Sequence, residues 1–312
     1  MSPNEFVSNE VSTKELGKQK NYKWEIVWFN VTCFTLIHLS GLYGVYLMLF
    51  QAKYVTLLWY VVSTIFIMMG VTAGCHRLWT HRSYKAKWPM RLILMILNTA
   101  AYQDTIYQWA RDHRVHHKFS DTDADPHNAN RGFFFSHAGW LLVRKHPDIT
   151  VKGSTIDCSD IAQDPFVAFQ KKWYKWLMPT FCFIIPALIP YWFWNETFSC
   201  AWFVNFARYC TNLNTSWMVN SIGHISGTKP YDKSIRPTEN YGVAMASLGE
   251  GWHNYHHAFP WDYRAGEPGI FKVNITTTFI NFFSFLGLAY DLKAATPDMI
   301  KLRATRCGDG SY

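Results

Sequence analysis

The sequence has no cysteines at CxxC spacing, no apolar stretch at its N-terminus, no glycine-rich dinucleotide or flavin fingerprint, and no internal repeat or low-complexity tract. Each absence removes a class of protein. Seven cysteines (Cys33, Cys75, Cys158, Cys182, Cys200, Cys210 and Cys307) are an odd number without framework spacing, which excludes a disulfide-stapled domain and leaves buried thiols. The opening MSPNEFVSNEVSTKELGKQK is polar, so it reads as a disordered cytosolic tail rather than a cleaved signal. Without a nucleotide fingerprint, no nicotinamide- or flavin-binding module is expected in the chain.

What is present is apolar surface in long runs. The 312 residues are 49% hydrophobic and 18% aromatic. The mean hydropathy is only −0.09 because charge gathers between the runs. A spanning helix needs about 20 mainly apolar residues. Four runs qualify, 26–50, 54–74, 176–194 and 199–219, and the short connections 51–53 and 195–198 make them two hairpins. Lys and Arg in the connections set orientation. The first short turn holds only Lys53 and the second none. The stretch 75–175 holds Arg77, Arg82, Lys85, Lys87, Arg111, Arg114, Arg144, Lys145, Lys171 and Lys172, and the tail adds Lys14, Lys18, Lys20 and Lys23. Both short turns are therefore expected in the lumen, and both termini in the cytosol. The sequon at Asn195 lies so close to the membrane that it is expected to stay empty. The formal charge of +8 suits anionic lipid, a phosphate-bearing substrate or an acidic protein. Because the basic residues flank the spans, no nucleic-acid partner is expected.

Two further segments, 88–101 and 275–292, are apolar but short or interrupted; they read as interfacial amphipathic helices or as buried helices of the cytosolic region. The fourth run is unusually polar. Asn205, Arg208, Asn212, Ser216, Asn220 and then His224 recur at three and four residues, one helical face. That face serves interhelical hydrogen bonding or a polar track towards a site at the cytosolic end.

Nine of the thirteen histidines form one pattern. His76 and His81 stand where the second run ends. His113, His116 and His117 form HRVHH; His253, His256 and His257 form HNYHH; His224 follows the fourth run. In HxxHH the members at i, i+3 and i+4 share a helix face. The five-residue spacing of His76 and His81 fits a helix end. All nine fall at or beyond the cytosolic ends of the runs. That one-sidedness argues for a metal site and against a metal transporter, which would place histidines along the spans or on both sides. Imidazole suits Zn, Cu, Fe and Ni. Nine nitrogens exceed one ion's needs, and thiolates and a carboxylate cage are both absent, so two irons with open positions for O2 fit best. Asp112, Asp121, Asp125 and Glu250 are candidate acceptors for the outer imidazole N–H groups. The expected fold is an all-α membrane protein with a tail (1–25), a transmembrane hairpin (26–74), a cytosolic region with two histidine boxes (75–175), a second hairpin (176–222) and a cytosolic region with the third box (223–312). Its four transmembrane helices carry a helical cytosolic cap with a histidine-rich di-iron site.

The stretches TAGCHRLWTHRSYKA, YQWARDHRVHHKFSDTDADPHN, RGFFFSHAGWLLVRKHPD, NSIGH and SLGEGWHNYHHAFPWDY resemble the membrane acyl-CoA desaturases, of the stearoyl-CoA Δ9 type and its insect relatives. The likeness runs from about Trp24 to Leu292, with small departures at Thr80 and Trp252. It implies one iron on His76, His81, His117 and His257, with Asn220 acting through a water, and another on His113, His116, His224, His253 and His256. It implies a long-chain fatty acyl-CoA substrate contacted by Asn30, Arg111, Asp112, Arg144, Lys145 and Trp217. Asp104 stands where the family has Asn, and an acid there would repel phosphate. The resemblance further implies multi-pass residence in the endoplasmic reticulum membrane and a role in unsaturated fatty acid synthesis. The reaction inserts a cis double bond, Δ9 by default, using O2 and two electrons. With no fused HPGG signature, a separate cytochrome b5 and its NADH reductase would supply them. The rival readings are shifted regiochemistry, such as Δ11, and a histidine-box fatty acyl hydroxylase. Thr64 and Met68, on the second run, are expected to bear on how deep the acyl chain reaches.

Overall fold

A computed structural model describes residues 23–267 and 273–312. Among these, the chain is mostly helical. Helix α1 (Trp28–Phe50) is followed by α2 (Tyr54–Met69), which runs on through a wider turn of helix, Gly70–Thr80. Then come strand β1 (Lys85–Ala86), α3 (Trp88–Ala101), α4 (Ile106–Phe119), α5 (Phe133–His137), α6 (Pro147–Gly153) and α7 (Ser159–Ala162). Helix α8 (Pro165–Met178) continues through a second widened segment, Pro179–Ile184, into α9 (Ile185–Trp194). After α10 (Phe198–Asn220) come α11 (Ile222–Ile225), α12 (Tyr241–Ala246), α13 (His253–Ala258), α14 (Ile275–Phe285), strand β2 (Ala289–Tyr290) and α15 (Pro297–Cys307). The two strands pair antiparallel, Lys85 opposite Tyr290 and Ala86 opposite Ala289.

Among the described residues, three helices are long and apolar enough to cross a membrane: Trp28–Phe50, Tyr54–Thr80 and Pro165–Trp194. Leu36, Leu42 and Leu49 of α1 and Leu58 and Phe66 of α2 stay exposed, as lipid-facing side chains do. α10 is 23 residues long but carries the polar face described above. α1 lies along α10, and the contact is made by glycine. A Cβ on Gly44 would stand 2.0 Å from the Phe203 carbonyl oxygen, and one on Gly41 2.6 Å from Cys210 Sγ. Small residues let the backbones close where no hydrophobic effect drives them together.

Proline explains the polar face. Pro186 has no N–H, so the Cys182 carbonyl loses its i+4 donor. Arg208, fully buried, fills that place with Nη2 at 2.7 Å, and Asn205 Nδ2 adds a bond at 2.9 Å. Pro190 likewise strips the Pro186 carbonyl, which accepts from Trp59 Nε1 at 3.0 Å. Arg208 also reaches the Ala100 carbonyl and Asn205 Oδ1. For Asn205 and Arg208 the interhelical reading therefore holds. At the opposite end from the histidines, the two short connections lock together. Glu196 Oε2 accepts from Lys53 N–H at 2.9 Å and Thr56 Oγ1 at 2.6 Å, while Lys53 Nζ donates to the carbonyls of Trp194 and Asn195.

Several boundaries differ from the sequence reading. Of the tail 1–25, residues 1–22 lie outside the described residues. Glu25 is tied down, its carbonyl accepting from Arg144 N–H at 2.9 Å. Ile26 bridges Val143, so the first helix opens at Trp28. The segment 275–292 is helical only to Phe285; the left-handed Gly287 turns it into β2. α14 buries Thr276, Ile280 and Phe283 and leaves Phe282 and Phe285 outside. α3 buries Met90, Leu94, Met95 and Asn98 through Ala101. Gly44→Ala is expected to push α1 off α10 at a cost of about 1–3 kcal/mol, read as a lowered melting temperature in detergent.

Candidate metal centre

The nine histidines converge at the mouth of the bundle. The ligating nitrogens of His76, His81, His113, His117 and His256 lie within 4.8 Å of one another, and so do those of His116, His224, His253 and His257. This grouping differs from the partition the resemblance implies. The reason is helical geometry. Members of HxxHH at i and i+4 are about 40° apart around the helix, while i+3 falls on the other side by about 60°. Each box therefore gives its i, i+4 pair to one cluster and its middle histidine to the other. His113 and His117 join the first box and His256; His253 and His257 join His224 and His116.

The first box relies on the widened turn at 70–80. Five residues on an α-helix rotate by about 140°, which would point His76 and His81 apart. Here His81 N–H bonds to the His76 carbonyl at 3.1 Å, an i→i+5 bond, and their rings sit 4.9 Å apart. Arg114 then caps the turn, donating to the carbonyls of Trp79 (2.8 Å) and Thr80 (3.1 Å) while Asp160 holds it through two bonds of 2.8 Å. Asn220 ends α10, and His224 lies in the short α11 that follows Ser221.

The donor set fits metal ions. Imidazole binds zinc-like ions at about 2.0–2.1 Å, which sets adjacent nitrogens roughly 3 Å apart. The Nε2 atoms of His76 and His256, and of His256 and His117, are separated by 2.9 Å; those of His224 and His253 by 3.0 Å. His81 Nε2 and His116 Nε2 are buried with no hydrogen-bond partner among the described residues. Carboxylates take the outer nitrogens. His76 Nδ1 meets Glu250 at 2.8 Å, His116 Nδ1 meets Asp125 at 2.9 Å, and His224 Nδ1 meets Asp121 at 3.0 Å. Such bonds fix the tautomer and turn Nε2 inward. Asp112 does not join them. It accepts from Arg111 at 3.1 Å, Gln108 at 2.9 Å and Lys145.

Burial, followed by repulsion from neighbouring imidazoles, holds His113, His117, His253, His256 and His257 well below the ordinary histidine range. They are neutral, the form a metal requires. Glu250 feels burial pushing its carboxyl up, but Arg77 and His76 outweigh it and keep it ionised. Sequence reading counted Arg77 and Arg114 only as orienting charges; their adjacency to the boxes was the signal available. Trp109, also missed, stacks on His113 with ring centres 4.9 Å apart.

The remaining predicted residues make contacts of their own. Asn30 Nδ2 donates to the Leu141 carbonyl at 2.8 Å. Arg144 Nε pairs with Glu25 at 2.6 Å on the surface. Trp217 is buried between Phe34, His38 and His137. Asp104, in a left-handed conformation, has its carboxyl pushed up by burial.

The model of the fatty acid desaturase family matches residues 52–265. An acyl-CoA Δ9 desaturase of Acheta domesticus is 57% identical, over 97% of this chain and 85% of the relative. An acyl-CoA Δ11 desaturase of Spodoptera littoralis is 53% identical over 95% and 87%. The stearoyl-CoA desaturase of Homo sapiens is 52% identical over 93% and 80%. This chain belongs to the fatty acid desaturase family.

The buried neutral histidines set the acid stability of the metal-free protein. Their folded values lie below the unfolded value of about 6.5, so below that pH the unfolded chain binds more protons. The melting temperature of the metal-stripped protein is expected to fall as pH drops through about 6.5. A rise on acidification would contradict the neutral assignment.

Proposed function

We propose that this chain, an acyl-CoA desaturase and thus an oxidoreductase, introduces a cis Δ9 double bond into a long-chain saturated fatty acyl-CoA at a di-iron centre. The observation that carries this is the convergence of nine histidines, six of them buried, as two sets of ligand spacing. His76, His81, His113, His117 and His256 would hold one iron. His116, His224, His253 and His257 would hold the other, and Asn220 would act through a water. The irons supply, with O2, the hydrogen-abstracting power that no side chain has against an unactivated methylene. The balance is one saturated chain, O2, two electrons and two protons in; one alkene and two waters out.

The chain's own residues bind and align. Asp112 holds Arg111 and Lys145 side by side, and these with Arg144 suit the phosphates of CoA. Asn30 and Trp217 would contact the acyl-CoA where its chain enters the bundle. Thr64 and Met68 would set how deep that chain reaches; Met68 is buried beside Ser216. Fixing the chain against the metals selects the bond.

α10 is the fourth span in this reading, with Asn205 and Arg208 of its polar face bonded within the bundle. The regions are a tail (1–25), two membrane hairpins (26–74 and 176–222) and two cytosolic stretches (75–175 and 223–312). Both termini lie in the cytosol and the membrane is that of the endoplasmic reticulum. Cytochrome b5, reduced by its NADH reductase, brings the electrons to the basic cytosolic face. Relatives of similar identity named for Δ9 and Δ11 products favour a second reading, Δ11.

Membranes given stearoyl-CoA, NADH and O2 are expected to form oleoyl-CoA; position-specific derivatisation reads the bond, and a hydroxy acid would overturn desaturation. Iron content near two per chain is expected to fall in His224→Ala and His256→Ala. Lys145→Ala is expected to raise KM for acyl-CoA roughly tenfold, the loss of one charge-assisted bond, with a smaller change in kcat.

A further inference from the structure

The two histidine clusters are backed by different charge. Behind the four-histidine cluster stand two carboxylates from one loop, Asp125 on His116 and Asp121 on His224. Asp125 is 2% exposed and otherwise accepts from backbone N–H groups of Asp121 and His127, with the His127 ring 3.8 Å away. The cation nearest Asp121 is Arg236, 4.0 Å off and 43% exposed, where water screens it. Behind the five-histidine cluster stands Glu250 on His76, and it is neutralised. Arg77, fully buried, places Nη2 at 2.8 Å and Nε at 3.1 Å from Glu250 Oε1. Arg77 is itself fixed by the Tyr263 carbonyl and Thr277 Oγ1, both at 2.9 Å. Arg114, beside the same cluster, is paired with Asp160.

From this difference, and resting on the di-iron reading above, we infer that the two metal positions are unequal in redox preference. The four-histidine position, backed by two carboxylates with no buried cation on them, favours the oxidised ion; the five-histidine position, backed by a neutral Arg77–Glu250 pair, favours the reduced one. A carboxylate behind an imidazole makes it more basic and adds negative charge near the ion. Arg77 is therefore a positioning and neutralising residue, acting on the ion through Glu250 and His76.

The test is a redox titration of the purified, 57Fe-loaded full-length enzyme followed by Mössbauer spectroscopy, which counts ferric and ferrous iron without turnover. Two separate one-electron steps are expected in the unaltered protein. Asp125→Asn should raise the lower-potential step, by about 59 mV if the preference changes tenfold, and leave the upper one in place. Arg77→Gln should lower the upper step by exposing Glu250, and Arg77→Lys should restore it. Glu250→Gln, which keeps its shape, covers the case in which Arg77→Gln does not fold; it should leave the lower step unmoved. Two irons titrating in a single step, or Asp125→Asn moving the upper step alone, would overturn the inference and leave the di-iron reading intact. Failure to bind two irons at all would overturn both.

Discussion

Gathering nine imidazole rings, six of them buried, at one mouth of a helical bundle removes much of their hydration, and the rings return little to one another. Inward nitrogens meet other nitrogens at about the spacing a metal would impose. The surrounding architecture is organised to tolerate that cost. Carboxylates of Asp121, Asp125 and Glu250 turn three rings; Arg114 caps the carbonyls that the widened turn leaves open. The apolar cluster of Trp79, Met90, Leu94 and Ile106 packs the first box against α3 and α4. Tyr231, Tyr255, Phe259 and Ile300 hold the third box from the other side, bringing α15 into its support.

Much of the centre was legible because ligand chemistry is local. HxxHH spacing fixes which rings share a helix, and the one-sided distribution of charge indicated where they gather. What sequence spacing could not give was the exchange of middle histidines between clusters, because it depends on how α4 and α13 face each other across the site. The i→i+5 turn that aligns His76 with His81 was equally hidden. It depends on a tertiary clamp from Arg114 and Asp160, 34 or more positions away from the carbonyls it caps or from the turn itself. Asp112 looked like a partner for a histidine, yet two nearby cations claim it. The helical hairpins were readable from hydropathy, but their ends were not: Ile26 is drawn into a bridge with Val143, and Gly287 ends α14 early.

Three buried ionic groups follow one rule. Each has an opposite charge or dipoles assigned to it. Glu196 is met by Thr56 and a backbone N–H, Arg77 by Glu250, and Arg208 by carbonyls. The polar residues of α10 are thus partly structural, and their presence alone does not mark a catalytic path.

The prolines at 186 and 190 also bear on how the protein is made. A helix carrying two bare carbonyls cannot rest alone in hydrocarbon, where each would cost several kcal/mol. Its missing donors belong to other segments: Trp59 precedes it in the chain, while Asn205 and Arg208 come later. Release of this helix into lipid would therefore wait for the next one to be synthesised. The second hairpin would leave the insertion machinery as a pair, against a first hairpin already in place.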